Sequence, residues 1–187
     1  MNKKVEIEVS ARHIHLSKKD YDFIFGGTQY KNIKELSQHG EFTTDKVVRL
    51  VGPRGEVSAR FLSPFRDETQ AEISLTDCIH IGVKPLFESD VHEGGSKVKI
   101  IGDSGEVDRK CIIVAKRHLH ANTKDAKELN LHDRQRVSVI GDTKRGKVNF
   151  EEVVVKVADS YQLRVHLDTD EGNAAGITGQ EFGELLI

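Results

Sequence analysis

Short runs in which every second residue is apolar recur along this chain. Val5, Ile7 and Val9 alternate with Glu6, Glu8 and Ser10, the pattern of a strand with one buried face. Similar strand-like runs follow at VVRLVG (47–52), EVSARFL (56–62), AEISL (71–75), KVKIIG (97–102), RKCIIVA (109–115), RVSVIG (136–141), VNFEEVVVKV (148–157) and YQLRVHLD (161–168). Turn residues separate many of them: Gly52-Pro53-Arg54-Gly55, Gly102-Asp103-Ser104-Gly105 and Gly141-Asp142-Thr143-Lys144-Arg145-Gly146. Three segments, VRLVGPRGEV, VKIIGDSGEV and VSVIGDTKRGKV, resemble one another. Each reads as a hairpin closed by a Gly-containing turn.

Helical signals are few and short. Ser17 can cap a helix whose third residue is Asp20, which runs through Phe25 and stops at Gly26-Gly27. Asn122 and Asp125 repeat the arrangement for a helix over roughly 123–129, with Asn130 suited to its end. A third short helix is expected from Asn32 to Ser37, ended by Gly40. Many short strands with few helices point to a mainly β chain of small barrels or sandwiches with short capping helices.

One unusual phrase is written twice. ARHIHLSKKD at 11–20 and KRHLHANTKD at 116–125 align Arg12, His13, His15 and Asp20 with Arg117, His118, His120 and Asp125, 105 residues apart. The duplication divides the chain into two related units, residues 1–95 with the RHIH motif and 96–187 with the RHLH motif. The polar, Gly-containing SDVHEGGSK stretch joins them, and the N-terminal strand is free to cross between the halves.

With 37% hydrophobic and 31% charged residues among 187, the chain can bury a real core. Aromatic residues are only 6% and Trp is absent, which argues against a stacking platform for single-stranded nucleic acid. A net charge of −2 marks no polyanion binder. No nucleic-acid partner is expected. The two cysteines, Cys78 and Cys111, lie in apolar surroundings and form no disulfide framework, as in a reducing compartment. No run approaches the roughly 20 apolar residues of a membrane span, and MNKKVEIEVS shows no signal core. A cytoplasmic protein with no membrane partner is expected.

The doubled His-x-His carries the chemistry. On an extended backbone, residues i and i+2 share a face, so His13 and His15 project together, as do His118 and His120. Imidazole is the commonest metal ligand among side chains. Two converging imidazoles make half of a metal site, and a third ligand must come from elsewhere. His166, in LRVHLDTDE, is the first candidate and Glu72, in QAEISLTD, the other. Asp168 and Asp170 could orient imidazoles or simply serve the turn. His39, His80, His92 and His132 have no partner at useful spacing and read as structural or exposed. Arg66, in a loop just before Glu72, could clamp phosphate beside a metal. Alternation places Arg12 with Ile14, away from both neighbouring histidines. No Walker loop, GxGxxG fingerprint or nucleophile elbow is present.

As an ordered set, SARHIHLS (10–17), LVGPRGEV (50–57), SPFRDETQAEISLTD (63–77), IIVAKRHLH (112–120) and VHLDTDEGNAAG (165–176) resemble the PduL-type phosphate acyltransferases, or phosphate propanoyltransferases. The resemblance covers nearly the whole chain. It implies two β-barrel domains and two metal ions, usually zinc. Carried over residue by residue, His13, His15 and Glu72 would hold one ion, whose remaining position can take the coenzyme A sulfur. His118, His120 and His166 would hold the other, completed by water or substrate, and Arg66 would contact phosphate. The implied reaction interconverts acyl-CoA plus phosphate with acyl phosphate plus coenzyme A, and the implied assembly is a homodimer. Microcompartment-packaged members often carry an N-terminal extension, so the short lead before the first His-x-His favours a free cytoplasmic enzyme. Two other classes use the same residues: a metal-dependent thioester or phosphoester hydrolase, and a non-catalytic module that metal stabilises. Cobalt, nickel or iron would fit similar ligand sets.

Overall fold

A computed structural model describes residues 3–87, 96–179 and 181–187. In chain order the elements are β1 (Lys3–Val9), β2 (His13–His15), α1 (Lys18–Phe25), β3 (Asn32–Glu35), β4 (Phe42–Val51), β5 (Glu56–Ser63), β6 (Gln70–Glu72), α2 (Leu75–Ile81), β7 (Lys97–Ile101), β8 (Glu106–Lys110) and β9 (Ile112–Ile113). They continue with β10 (His118–Ala121), α3 (Thr123–Glu128), β11 (Arg136–Thr143), β12 (Gly146–Val157), β13 (Arg164–Leu167), α4 (Thr169–Ala175) and β14 (Glu181–Leu186). The chain is mainly β, as expected, and forms two compact units.

The His118 unit comprises Met1–Ala11, Ser37–His39 and Lys116–Ile187. Its strands close a barrel in the order β1-β13-β10-β12-β11-β14. Val5, Ile7, Leu119, Val153, Val155, Val165 and Leu167 fill the barrel core. The alternate residues Glu6, Glu8, His118, His120, Arg164 and His166 lie on the opposite sheet face, as a period of two requires.

The His13 unit comprises Arg12–Leu36 and Gly40–Ala115. Its sheet runs β8-β7-β4-β5-β2-β6-β9, with β3 paired to β4. The ends of this path, β8 and β9, are consecutive in the chain with only Cys111 between them, so the sheet is nearly closed. Ile14, Leu16, Phe61, Ala71 and Ile73 pack in its core. Five of the eleven aromatic residues cluster here: the Tyr21 ring lies 4.9–5.7 Å from those of Phe25, Tyr30, Phe61 and Phe65.

The packing boundary differs from a division at 95/96. β7 pairs with β4, which keeps residues 97–101 in the first sheet, and β1 pairs with β13 and β14 in the other. The strand leading into each His-x-His therefore pairs with the third-ligand strand of the other duplicate. β1 lies parallel to β13, and β9 lies parallel to β6. Backbone ladders over long sequence separations decide this, and local patterning does not carry that information. Most of the expected linker lies outside the described residues.

Local expectations meet the structure unevenly. Hairpins form at 52–55 and 102–105. In the third, pairing continues through Gly141↔Val148 to Thr143↔Gly146, leaving only Lys144 and Arg145 as the turn. The expected helix from Asn32 to Ser37 is the exposed edge strand β3, with Asn32 opposite Thr44 and Glu35 opposite Phe42; its backbone groups pair with β4 instead of closing helical turns. The strand read at 71–75 ends at Glu72, because Ser74 caps α2 by accepting from the Asp77 N–H. The hairpin turns also close helix ends. The Arg54 N–H donates to the Ile81 carbonyl at 3.0 Å and the Ser104 N–H to that of Ile24 at 2.9 Å. Gly52 permits the first approach, since a Cβ there would lie 2.3 Å from the Ile81 oxygen.

Candidate metal and anion site

Each candidate ligand sits at or near the end of a short strand that runs directly into a capped helix. Ser17, Ser74, Asn122 and Asp168 each accept from the backbone N–H three residues on, at Asp20, Asp77, Asp125 and Glu171. The four caps fix where β2, β6, β10 and β13 end, and with them the directions of the side chains those strands carry.

In the His13 unit, β2 pairs antiparallel with β6, putting His13 opposite Glu72 and His15 opposite Gln70. His13 Nε2 lies 3.7 Å from Glu72 Oε2, and the two imidazole centroids are 5.2 Å apart with the rings nearly perpendicular. One donor atom from each of His13, His15 and Glu72 falls within 4.8 Å of the others, the only such group of three among the described residues. Donors around a tetrahedral zinc with bonds of 2.0–2.1 Å stand about 3.4 Å apart, so a small contraction closes the set. His15 is 2% exposed, and its Nδ1 has no hydrogen-bond partner among the described residues. Burial, then the Arg66 charge and His13, push its pKa well below the usual imidazole range. His15 is thus neutral, the form that binds a metal.

In the His118 unit, β10 pairs antiparallel with β13 in the same way. His118 faces His166, and His120 faces Arg164. Ring centroids are 4.7 Å apart for His118 and His120, 5.2 Å for His118 and His166, and 4.5 Å for His120 and His166. His118 Nδ1 lies 2.8 Å from the Lys116 carbonyl. A carbonyl only accepts, so Nδ1 carries a proton, which leaves Nε2 as the ring's candidate metal donor. Tyr161 stacks on His120 at 3.9 Å and 14°. Burial, then His166, His118 and Lys156, hold His120 neutral.

Arg66 follows β5. Its backbone N–H donates to the Leu16 carbonyl at 3.1 Å, and its guanidinium donates to Gln70 Oε1 at 3.2 Å and Glu41 Oε1 at 3.3 Å. The arginines inside the repeat serve helix ends instead. Arg12 pairs with Asp77 at 3.1 Å and Arg117 with Glu171 at 2.7 Å, in each case the third residue of the helix after the third-ligand strand. Asp168 is the cap of α4, and Asp170 lies in its first turn. His80 sits in the last turn of α2. The His132 N–H donates to Gln135, and that of His39 to the Ser160 carbonyl. His92 lies outside the described residues.

Pattern reading missed Gln70, Arg164, Glu6, Glu8 and Tyr161. Gln70 and Arg164 each stand two residues before a proposed third ligand, which was a usable signal. Arg164 pairs with Glu8 at 2.9 Å and Glu6 at 2.5 Å, contacts that only the β1–β13 ladder creates.

The phosphate propanoyltransferase family model matches residues 6–178. Phosphate propanoyltransferases from Alkaliphilus metalliredigens, Thermotoga maritima and Clostridioides difficile are 44%, 40% and 41% identical to this chain. Those matches cover 98%, 90% and 97% of this chain, and 88%, 82% and 88% of the relatives. The chain therefore belongs to the phosphate propanoyltransferase family, and with it to the acyltransferases.

Proposed function

We propose that this protein interconverts a short-chain acyl-CoA plus phosphate with an acyl phosphate plus coenzyme A, by direct attack of phosphate on the thioester. The placement of Arg66 carries the reading. Its guanidinium bonds to the residue directly opposite His15, so a held cation with spare N–H donors stands beside the His13–His15–Glu72 set.

The donor chemistry fits metal. His13, His15 and Glu72 would hold one divalent ion and His118, His120 and His166 a second, zinc suiting both sets. A bound ion supplies a Lewis acid for the thioester carbonyl and a seat for the thiolate sulfur. Arg66 receives phosphate and fixes it for attack, an effect of proximity and charge. A phosphate oxygen bonds to the carbonyl carbon as the carbon–sulfur bond breaks, and coenzyme A leaves as its thiolate. The neutral imidazoles of His15 and His120 stay available as ligands near neutral pH. Cys78 and Cys111, both buried and in no disulfide, accord with work in the reducing cytoplasm. Kinship with the family further implies a homodimer, which light scattering checks.

The test is elemental analysis of the purified protein together with thiol release from acetyl- and propanoyl-CoA, with and without phosphate. Two metal equivalents and phosphate-dependent release with acyl phosphate formed are expected. Release without phosphate would overturn the reading in favour of a hydrolase. An acylated protein that turns over competently would overturn direct attack.

A further inference from the structure

Gln70 opens β6 directly opposite His15 and shares a sheet face with Glu72, two residues on. It is only 4% exposed. Arg66 Nη1 donates to its Oε1 at 3.2 Å. A guanidinium has donors alone, so the atom turned toward it is the amide oxygen. The amide orientation follows, and the NH2 end is directed elsewhere. That nitrogen is buried with no hydrogen-bond partner among the described residues. Native proteins seldom leave a buried amide donor unsatisfied, because its desolvation is then uncompensated.

His15 Nδ1, across the strand pair, is a second buried polar atom without such a partner. A neutral donor pair, a held guanidinium and an imidazole thus share one small region, and two of the three present unused polar atoms. The occupant that suits the donors is a small oxyanion, whose several oxygens accept from both groups. In the other unit the matching position opposite His120 is Arg164, paired with Glu6 and Glu8.

We propose that Gln70 is a further phosphate-contacting residue, its Nε2–H donating to an oxygen of the phosphate that Arg66 holds. The inference rests on the phosphate acyltransferase reading above.

Gln70→Met keeps the length and removes the donor, whereas Gln70→Glu keeps an acceptor for Arg66 and turns a carboxylate toward the anion. At saturating acyl-CoA, the Met variant should raise the KM for phosphate roughly tenfold, with the KM for acyl-CoA and the metal content unchanged. Its thermal midpoint should hold or rise, since an unsatisfied buried amide is gone. The Glu variant should bind phosphate more weakly still, and either variant suffices if the other fails to fold. A folded variant with the wild-type KM for phosphate would sink the inference and show that the amide serves a buried water or the fold alone. Wild-type protein without phosphate-dependent thiol release would instead sink the reading beneath it.

Discussion

His118 and His166 stand directly opposite one another across the β10–β13 pair, their rings 5.2 Å apart and within 10° of parallel. His13 and Glu72 hold the matching positions across β2–β6. One duplicated scaffold thus presents two chemically different sets, three imidazoles in one unit and two imidazoles with a carboxylate in the other. Only the second brings formal negative charge to a bound cation, so two ions placed there would differ in net charge and in the ligands they accept.

Metal content should therefore fall set by set. His15→Ala and His120→Ala are each expected to lose one equivalent of metal while keeping the far-ultraviolet circular dichroism of the parent. Turnover should drop by about 100-fold or more, beyond what loss of an orienting group costs. Elemental analysis beside steady-state kinetics checks this. Full metal content in either variant would remove that histidine from the ligand set.

The repeat arginines should affect stability more than catalysis. Arg117→Met removes the 2.7 Å partner of Glu171 at the start of α4, and Arg12→Met removes that of Asp77. Both guanidiniums are partly exposed, so each change should cost about 1 kcal/mol or less in urea unfolding. The KM values should stay near wild type. A large change in KM for phosphate with unaltered stability would place these arginines in the chemistry.

Asp20 is 3% exposed. It accepts from Thr69 Oγ1 at 2.6 Å and Arg109 Nε at 2.9 Å, tying α1 to β8. Asp20→Asn should cost about 2 kcal/mol, since a buried carboxylate loses its charge-assisted bonds to a partly exposed guanidinium. Urea melts at pH 7 measure this, and a cost near zero would show that Arg109 finds another partner.

Stability of the metal-free protein should fall in two acid steps. His15 and His120 have pKa values depressed chiefly by burial, so the unfolded chain binds protons that the folded one does not. Their contribution is complete above about pH 6.5 and declines below it, by about 1.4 kcal/mol per pH unit for each histidine. Burial opposes the ionisation of Asp20, but the Arg109 and Thr69 hydrogen bonds and the Arg109 charge outweigh it and leave the pKa lowered. Its contribution is therefore retained until the pH falls below about 3.9, then lost through its lower folded pKa. Asp168 and Glu171, both raised by burial, act in the opposite sense and lose their penalty as they protonate. Chemical denaturation of chelated protein between pH 3 and 8 tests the order. A flat profile down to pH 5 would contradict it.

Gly52 should resist substitution. An alanine Cβ would meet the Ile81 carbonyl oxygen at 2.3 Å, and the Ile81 backbone cannot yield without disturbing the Arg54 N–H bond to the same oxygen. Gly52→Ala should lower stability by about 1–3 kcal/mol, read as a shift in urea midpoint. Gly179→Ala, with nothing within 4 Å of the added carbon and no positive φ, is the control for crowding.

Short-range patterning determined much by itself. Alternation at Val5 and Ile7 places both in a core, and both are buried. Ser17 with Asp20, and Asn122 with Asp125, announce two helix starts. The same signal at Ser74 with Asp77 and at Asp168 with Glu171 marks the two helices that pattern reading passed over. The paired imidazoles of each His-x-His follow from the two-residue period of a strand. All of these depend on residues within about four positions, where backbone geometry alone sets the relation.

Tertiary structure decided the rest. Read from their own segments, Glu72 and His166 were rival candidates for a third ligand, and only family resemblance divided them between the two histidine pairs. Strand register sets Glu72 across from His13 and His166 across from His118. It also sets Gln70 opposite His15, turns Arg12 and Arg117 toward helix ends, and pairs each leading strand, β1 and β9, with a strand of the other sequence duplicate. Each of these relations joins residues tens of positions apart through ladders of backbone hydrogen bonds. Those bonds are chemically alike at every position, so the side-chain pattern of one strand does not name the partner it will meet.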